Sequence, residues 1–444
     1  MNIRFVSLST LLLPLVAIVL SMSTAQAREI TLTTNLATPV MAADETHKTF
    51  IKISLEGFKQ EQHDERIPAN IAIVLDKSGS MNGEKIQQAR EAAIMAIKRL
   101  NAQDIVSVVS YDSRVQVVVP ATKVSDKHQI ANAIRNIRAN GNTALFAGVS
   151  KGAQELRKFL DHNKVNRVIL LSDGLANVGP SSANELGKLG LSLAKEGMSV
   201  TTIGLGLGYN EDLMTQLAGF SDGNHAFVEN AEDLAQIFQY EFGDVLSVVA
   251  QGVNIKIHCK NGIKPLRILG REAEIRGNRI TTRMNQLYSE QEKFIILEVE
   301  VPAHGVTNNL EVAEIDVSYT NLYSQQAHSL RNRVLASFSQ SDKQIQEAVD
   351  VKTYEAAAEQ VANEESRKAI QLRDQGDIEG ARSILESNAT YLENLGQSLA
   401  SPKLLEQKAE ALQDAEELEN DQDWNKKRKE LKERQYKRAT QQSY

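Results

Sequence analysis

The chain divides into blocks of different hydrophobic period. From residue 70 to about 246, short and almost continuously apolar runs alternate with amphipathic segments. The runs are "IAIVL", "DIVSVVSY", "VQVVV", "NRVILLS", "MSVTTIGLG" and "NHAFV". Between them, Ile86, Ala89, Ala93, Ile97 and Leu100 recur at spacings of three and four, as do Leu145, Val149, Ala153, Leu156 and Leu160. Segments 181–196 and 231–242 follow the same helical period. Strands apolar on both faces and separated by helices predict an α/β unit. Its core is a doubly wound, mostly parallel sheet with helices on both sides.

The flanks keep a different rhythm. "EITLTTNLATPV" and "KTFIKISLEGF", before residue 60, alternate with period two. So do "VNIKIHC", "PLRILG", "NRITTRM", "KFIILEVEV", "LEVAEIDVSYT" and "AHSLRNRVLASF", between 247 and 338. Such alternation predicts a β-sandwich. We expect residues 28–60 and 247–338 to build it together, with the α/β unit of 68–246 inserted between them, since insertions are tolerated where chain ends meet on a surface.

Beyond 340 the pattern is helical. A break at Gly376, with Asp377 opening the next helix, predicts a helical hairpin over 340–400, similar to one tetratricopeptide-like unit without a second copy. The charged tail, 401–444, is first acidic and then basic. The plain expectation is a solvated or frayed helix, and the alternative is contact with phosphate-bearing lipid or an acidic partner.

Composition narrows the setting. At 444 residues several domains are expected, and a net charge of −7 gives no reason to look for nucleic acid. The amino terminus has Arg4, a long apolar stretch and "AQA" at 25–27, the pattern of a signal peptide spanning 1–27. A periplasmic or secreted protein follows. The alternative for the same stretch is an uncleaved membrane anchor, because its length approaches that of a membrane span. Cys259 is the single cysteine, so cores or bound ions, rather than an internal disulfide, must stabilise an exported chain.

The chemistry lies in "IAIVLDKSGSMNGEK", where a buried strand runs straight into Asp76, Ser78 and Ser80. In a parallel sheet, loops from the carboxyl ends of strands meet on one edge. Two more such loops carry oxygen ligands: "ANGNTALFAG" with Thr143, and "LLSDGLAN" with Asp173. Two carboxylates and three hydroxyls make a hard, all-oxygen donor set of the kind magnesium prefers, with room for an outside ligand.

Asp76-x-Ser78-x-Ser80, Thr143, and Asp173 followed by Gly174 resemble the metal-ion-dependent adhesion site of von Willebrand factor type A domains, over about 175 residues. The resemblance implies a Rossmann-like α/β fold. It implies a Mg2+ or Mn2+ ion held by Ser78, Ser80 and Thr143, with Asp76 and Asp173 acting directly or through water. It also implies a protein partner whose Glu or Asp completes the shell. The whole architecture is similar to exported bacterial proteins of this type and to the core of inter-α-trypsin inhibitor heavy chains. From position, Met81, Asn82, Asn142, Leu175 and Asn177 are expected on the rim, selecting the partner. In such domains the last helix, here 231–242, can shift when the site is filled.

Enzyme readings find little support. Ser78 lacks a Gly-x-Ser-x-Gly elbow, there is no His-Glu-x-x-His, and "IGLGLGYN" does not fit Gly-x-Gly-x-x-Gly. Those glycines read instead as a strand end that needs a close approach, and Lys77 as a solvated neighbour of the ligands. The expectation is a non-enzymatic, metal-dependent adhesion module at the cell envelope. Two alternatives remain: a scaffold in which the ion only stabilises the fold and the helical tail binds, and a metal-dependent hydrolase.

Overall fold

The computed structural model describes residues 29–60, 66–418 and 423–443. The segment read as a signal peptide lies outside them. The chain opens with β1 (Thr31–Leu36), β2 (Val40–Ala42) and β3 (His47–Glu56). The α/β unit follows: β4 (Ala69–Asp76), α1 (Glu84–Arg99), β5 (Ile105–Tyr111), β6 (Val115–Lys123), α2 (Lys127–Arg135) and α3 (Leu145–Arg157). It continues through β7 (Val165–Ser172), α4 (Ala183–Lys195), β8 (Met198–Leu205), α5 (Glu211–Phe220), β9 (His225–Val228) and α6 (Leu234–Leu246).

The sheet order is β6-β5-β4-β7-β8-β9, parallel except between β5 and β6. Every residue of β4, β5, β7 and β8 is buried, as expected where helices cover both faces. On one face, Ile86, Ala89, Ala93 and Ile97 of α1 pack with Ile130 and Ile134 of α2 and Phe238 and Phe242 of α6. On the other, Leu145, Val149 and Leu156 of α3 pack with Leu186 of α4 and Leu213 and Leu217 of α5. Helices α2 and α5 were not anticipated. The signal for α2 was present, since Ile130, Ala131 and Ile134 are buried at helical spacing, and α5 is only ten residues long.

The chain then returns to strands: β10 (Val248–Cys259), β11 (Lys264–Leu269), β12 (Ala273–Arg276), β13 (Arg279–Tyr288), β14 (Glu292–Val301), β15 (Thr307–Asn321) and β16 (Gln326–Ser339). They form two sheets, β1-β3-β14-β11 and β12-β13-β10-β15-β16-β2. β3 pairs with β14 from Glu56↔Glu292 to His47↔Val301, while β2 joins β16 in a short parallel pair. Residues 31–56 are thus strands of the same sheets as 248–339. Inward side chains of both, such as Ile51, Ile53, Ile255, Ile295 and Val317, share one core.

The last elements are α7 (Asp342–Glu347), α8 (Val351–Asp374), α9 (Ile378–Ser398), α10 (Pro402–Glu417) and α11 (Trp424–Thr440). The expectation of a solvated or frayed tail fails at α11. Lys429, Leu431, Gln435, Tyr436 and Ala439 are buried. Arg428 pairs with Glu211, with Asp212 at 2.6 Å and with Asp374 at 2.7 Å, and Lys429 reaches Glu211 at 2.7 Å. The Tyr436 hydroxyl donates to the Gly223 carbonyl at 2.7 Å. Beyond the helix, the Gln442 side chain bridges the backbone of His225, and Gln441 accepts from Phe294 N. The charges that suggested a solvated face are turned toward acids elsewhere in the chain, so α11 clasps the α/β unit, the sandwich and α8 together. No described helix is long and apolar enough to cross a membrane.

The clasp encloses a titratable group. His225 is fully buried between Tyr209 and Tyr436, with Nδ1 2.8 Å from Thr202 Oγ1. Burial, and then Lys437, lower its pKa from 6.5 to about 3. A lowered pKa contributes stability that is present above 6.5 and lost as pH falls toward 3. Glu241 opposes this: burial raises its pKa to about 7, so it favours folding below its ordinary 4.5 and loses that contribution as pH rises through 7. A variant isolates the histidine. Between about pH 7.5 and about pH 5, wild type should lose on the order of 2 kcal/mol more unfolding free energy than His225→Gln. Urea denaturation across that range measures it, and equal losses would show that His225 is not buried neutral.

Candidate functional site

Three loops meet at the carboxyl edge of the α/β sheet, and backbone bonds lock them together. Lys77 N donates to the Tyr111 carbonyl (2.8 Å), Asn140 N to the Lys77 carbonyl (2.7 Å), and Gly79 N to the Gly141 carbonyl (2.9 Å). Gly141 has φ +76, and a Cβ there would press within 3.0 Å of Ser113 Oγ, so the loop carrying Thr143 depends on glycine. Asn177 fastens the second loop to the third: its Oδ1 accepts from Thr143 N at 2.8 Å, and its own N donates to the Thr143 carbonyl at 3.1 Å.

Within this frame the Ser78 and Ser80 hydroxyls lie 3.1 Å apart, and Ser80 donates to Asp173 Oδ1 at 2.7 Å. Gly174 marks where the hydroxyls converge. A Cβ added to it would stand 3.3 Å from both Ser80 Oγ and Thr143 Oγ1 and 3.9 Å from Ser78 Oγ. Asp76 sits behind them, fully buried. Its Oδ1 accepts from Ser78 N (2.8 Å), and its Oδ2 from Ser172 Oγ (2.6 Å) and the Tyr111 hydroxyl (3.4 Å). Burial raises the Asp76 pKa, and the bonds from Ser172 and Ser78 oppose that shift.

All five sequence-predicted site residues therefore lie on one edge. Ser78, Ser80, Thr143 and Asp173 surround the point beside Gly174, and Asp76 organises the first loop from beneath. The rim differs from expectation at one position. Asn82, Asn142, Leu175 and Asn177 are exposed, but Met81 is fully buried. The short 3-10 turn Gly79–Met81 directs that side chain into the core beside α1.

Lys77, read as solvated, instead pairs with Asp112. Burial pushes the Asp112 carboxyl up, but Lys77 and the backbone of Arg114 together bring it below its usual value. Sequence reasoning overlooked Lys85, in the first turn of α1, whose Nζ lies 2.6 Å from Asp173 Oδ2. It also overlooked Ser172 and Tyr111 as supports of Asp76. The position of Lys85, just after the loop, was legible; its partner 88 residues later was not. The glycines of "IGLGLGYN" do mark a close approach: a Cβ on Gly208 would fall 2.7 Å from the Asp173 carbonyl oxygen.

Against this geometry stand the relatives. Residues 70–240 match the sequence model of the von Willebrand factor type A domain. The family comprises protein-interaction and adhesion modules. The chain is 26% identical over 345 residues to the uncharacterized protein sll0103 of Synechocystis, covering 74% of this chain and 80% of that one. It is 23% identical over 257 residues to human inter-alpha-trypsin inhibitor heavy chain H3, covering 56% of this chain but only 28% of that relative. Among solved structures, a von Willebrand factor type A protein from Catenulispora acidiphila superposes with a TM-score of 0.68 at 14% identity, over 86% of this chain and 90% of its own. That likeness establishes the fold.

The support of Asp76 can be tested without reference to any ligand. Ser172→Ala removes the shortest side-chain donor to a buried carboxylate and should lower unfolding free energy by about 1–3 kcal/mol in urea denaturation. Unchanged stability would contradict the role assigned to Ser172.

Proposed function

We propose that this chain is an exported, non-catalytic binding protein that holds an acidic residue of a protein partner through a divalent cation, Mg2+ or Mn2+. The observation that carries the reading is the convergence of Ser78, Ser80 and Thr143 hydroxyls around Gly174 with Asp173 beside them. Among the described residues no group of three or more His, Cys, Asp or Glu could hold a metal, so an ion here would rest on hydroxyls and two carboxylates. Hard oxygen donors of modest charge suit magnesium, which usually keeps part of its shell for water or an outside ligand.

Ser78, Ser80 and Thr143 would hold the ion, and Asp76 and Asp173 would assist directly or through water. The ion would supply a Lewis-acidic position that an external Glu or Asp carboxylate can occupy. The protein's part is to keep the loops fixed and the donors gathered before the partner arrives, so that little ordering cost remains on binding. The exposed Asn82, Asn142, Leu175 and Asn177 would select among partners. Export and an envelope setting rest on the amino-terminal pattern and belong to this proposal.

The alternative in which the helical tail makes the working contact is weakened by the clasp. Lys427, Arg428, Lys429, Lys432, Arg434 and Arg438 all pair with acids of the same chain.

Calorimetric titration of Mg2+ into chelator-treated full chain tests the reading. Wild type should bind one ion, and Ser78→Ala with Ser80→Ala should abolish binding. Gly174→Ala, whose Cβ would intrude among the hydroxyls, should weaken it at least about tenfold. Equal binding by wild type and the double variant would overturn the proposal.

A further inference from the structure

Lys85 is the one cation in direct contact with the proposed ligand set among the described ion pairs. Its ammonium lies 2.6 Å from Oδ2 of Asp173, whose side chain is fully shielded from solvent, while Ser80 occupies Oδ1. The lysine is packed as well as charged. Its side chain is 35% exposed, and a Cβ on Gly206 would come 3.6 Å from Nζ and 3.7 Å from Cε. Gly206 has φ +69 and starts the loop that closes on the Asp173 carbonyl through Gly208. Lys85 is thus built into the wall of the site.

The charge balance gives this contact a consequence. Asp76 and Asp173 together would neutralise a divalent ion. With Lys85 bound to Asp173, the same set leaves one positive charge uncompensated. Lys77 does not alter the sum, because Asp112 already pairs with it. An uncompensated charge near a shielded carboxylate repels a second cation and attracts an anion, and both effects are strengthened by the low local dielectric.

We propose that Lys85 is a specificity-determining residue that makes cation binding depend on an incoming carboxylate. This rests on the metal-site reading above. By neutralising Asp173, Lys85 weakens the site's hold on a divalent ion in the free protein. An external carboxylate restores neutrality, so ion and acidic ligand bind with positive coupling and each raises the affinity of the other by the same factor. The site then favours acidic ligands over neutral oxygen donors such as amides, which could fill the position but not the charge.

The test is calorimetric titration of Mn2+ into the full chain, with and without saturating acetate as the carboxylate probe and acetamide as its neutral counterpart. Wild type should bind Mn2+ weakly alone, more tightly with acetate, and without change in acetamide. Lys85→Met should bind Mn2+ about tenfold or more tightly without acetate and lose most of the acetate effect. Lys85→Arg, which retains the charge, should keep the wild-type pattern. Lys98→Met, which removes the same charge from the far end of α1, should do so too. Thermal melts of each apo variant identify any that fails to fold, and Lys85→Gln replaces Lys85→Met in that case.

Unchanged or weaker Mn2+ binding by the folded neutral variant would overturn the inference while leaving the metal site intact. No Mn2+ binding by wild type or the neutral variant, in any condition, would overturn the metal reading itself and this inference with it.

Discussion

Two carboxylates buried at the ends of neighbouring parallel strands are the constraint around which the rest is arranged. Asp76 ends β4, Asp173 follows β7, and both are shielded from water. A carboxylate in such a place needs donors or cations close at hand. The chain supplies Ser172, Tyr111 and the Ser78 backbone to Asp76, and Ser80 and Lys85 to Asp173. Because those donors come from the ends of β5 and β7, from the first loop and from α1, meeting the carboxylates' requirements also fixes these elements against one another. The same hydrogen bonds that stabilise the fold leave three hydroxyls gathered around a glycine.

The sandwich holds the α/β unit from the opposite end of the sheet. β7 carries Asp173's loop at one end and Arg167 at the other, where the guanidinium is fully buried against the sandwich. It bonds Gln286 and the Tyr288 hydroxyl and lies 3.6 Å from Glu241 of α6. α6 in turn leads directly into β10. The α/β unit is joined to its host through buried polar groups as well as chain connections, and α11 adds a clasp across both. Asn425, at the start of α11, donates to the Leu207 carbonyl beside the site loop, and Lys429 stacks 4.9 Å over the Tyr209 ring. The carboxyl-terminal helix therefore touches the loop that borders Asp173.

Much of this was legible from periodicity. Six apolar runs gave the six strands of the α/β sheet, because a parallel sheet covered on both faces tolerates few polar positions. Asp76, Ser78, Ser80 and Asp173 could be placed on one edge because the ends of β4 and β7 locate them, whereas Thr143, read as part of another strand-end loop, lies on the loop that joins α2 to α3. What escaped were features set by distant partners. Lys85 looked like any first-turn lysine until β7 brought Asp173 to it. Met81 looked like a rim residue until a tight turn directed it inward. The basic tail looked solvated partly because the partners of Arg428 and Lys429, Glu211 and Asp212, lie more than 200 residues earlier. The four-residue β12 was too short to show alternation.

The central claim is that the converging hydroxyls form a cation site. Its most direct test is anomalous diffraction from crystals of the full chain grown with Mn2+. The account predicts a peak among Ser78 Oγ, Ser80 Oγ and Thr143 Oγ1, beside Gly174. Crystals showing ordered loops and no peak there at saturating Mn2+ would contradict it, and the hydroxyls would then be explained by loop packing alone.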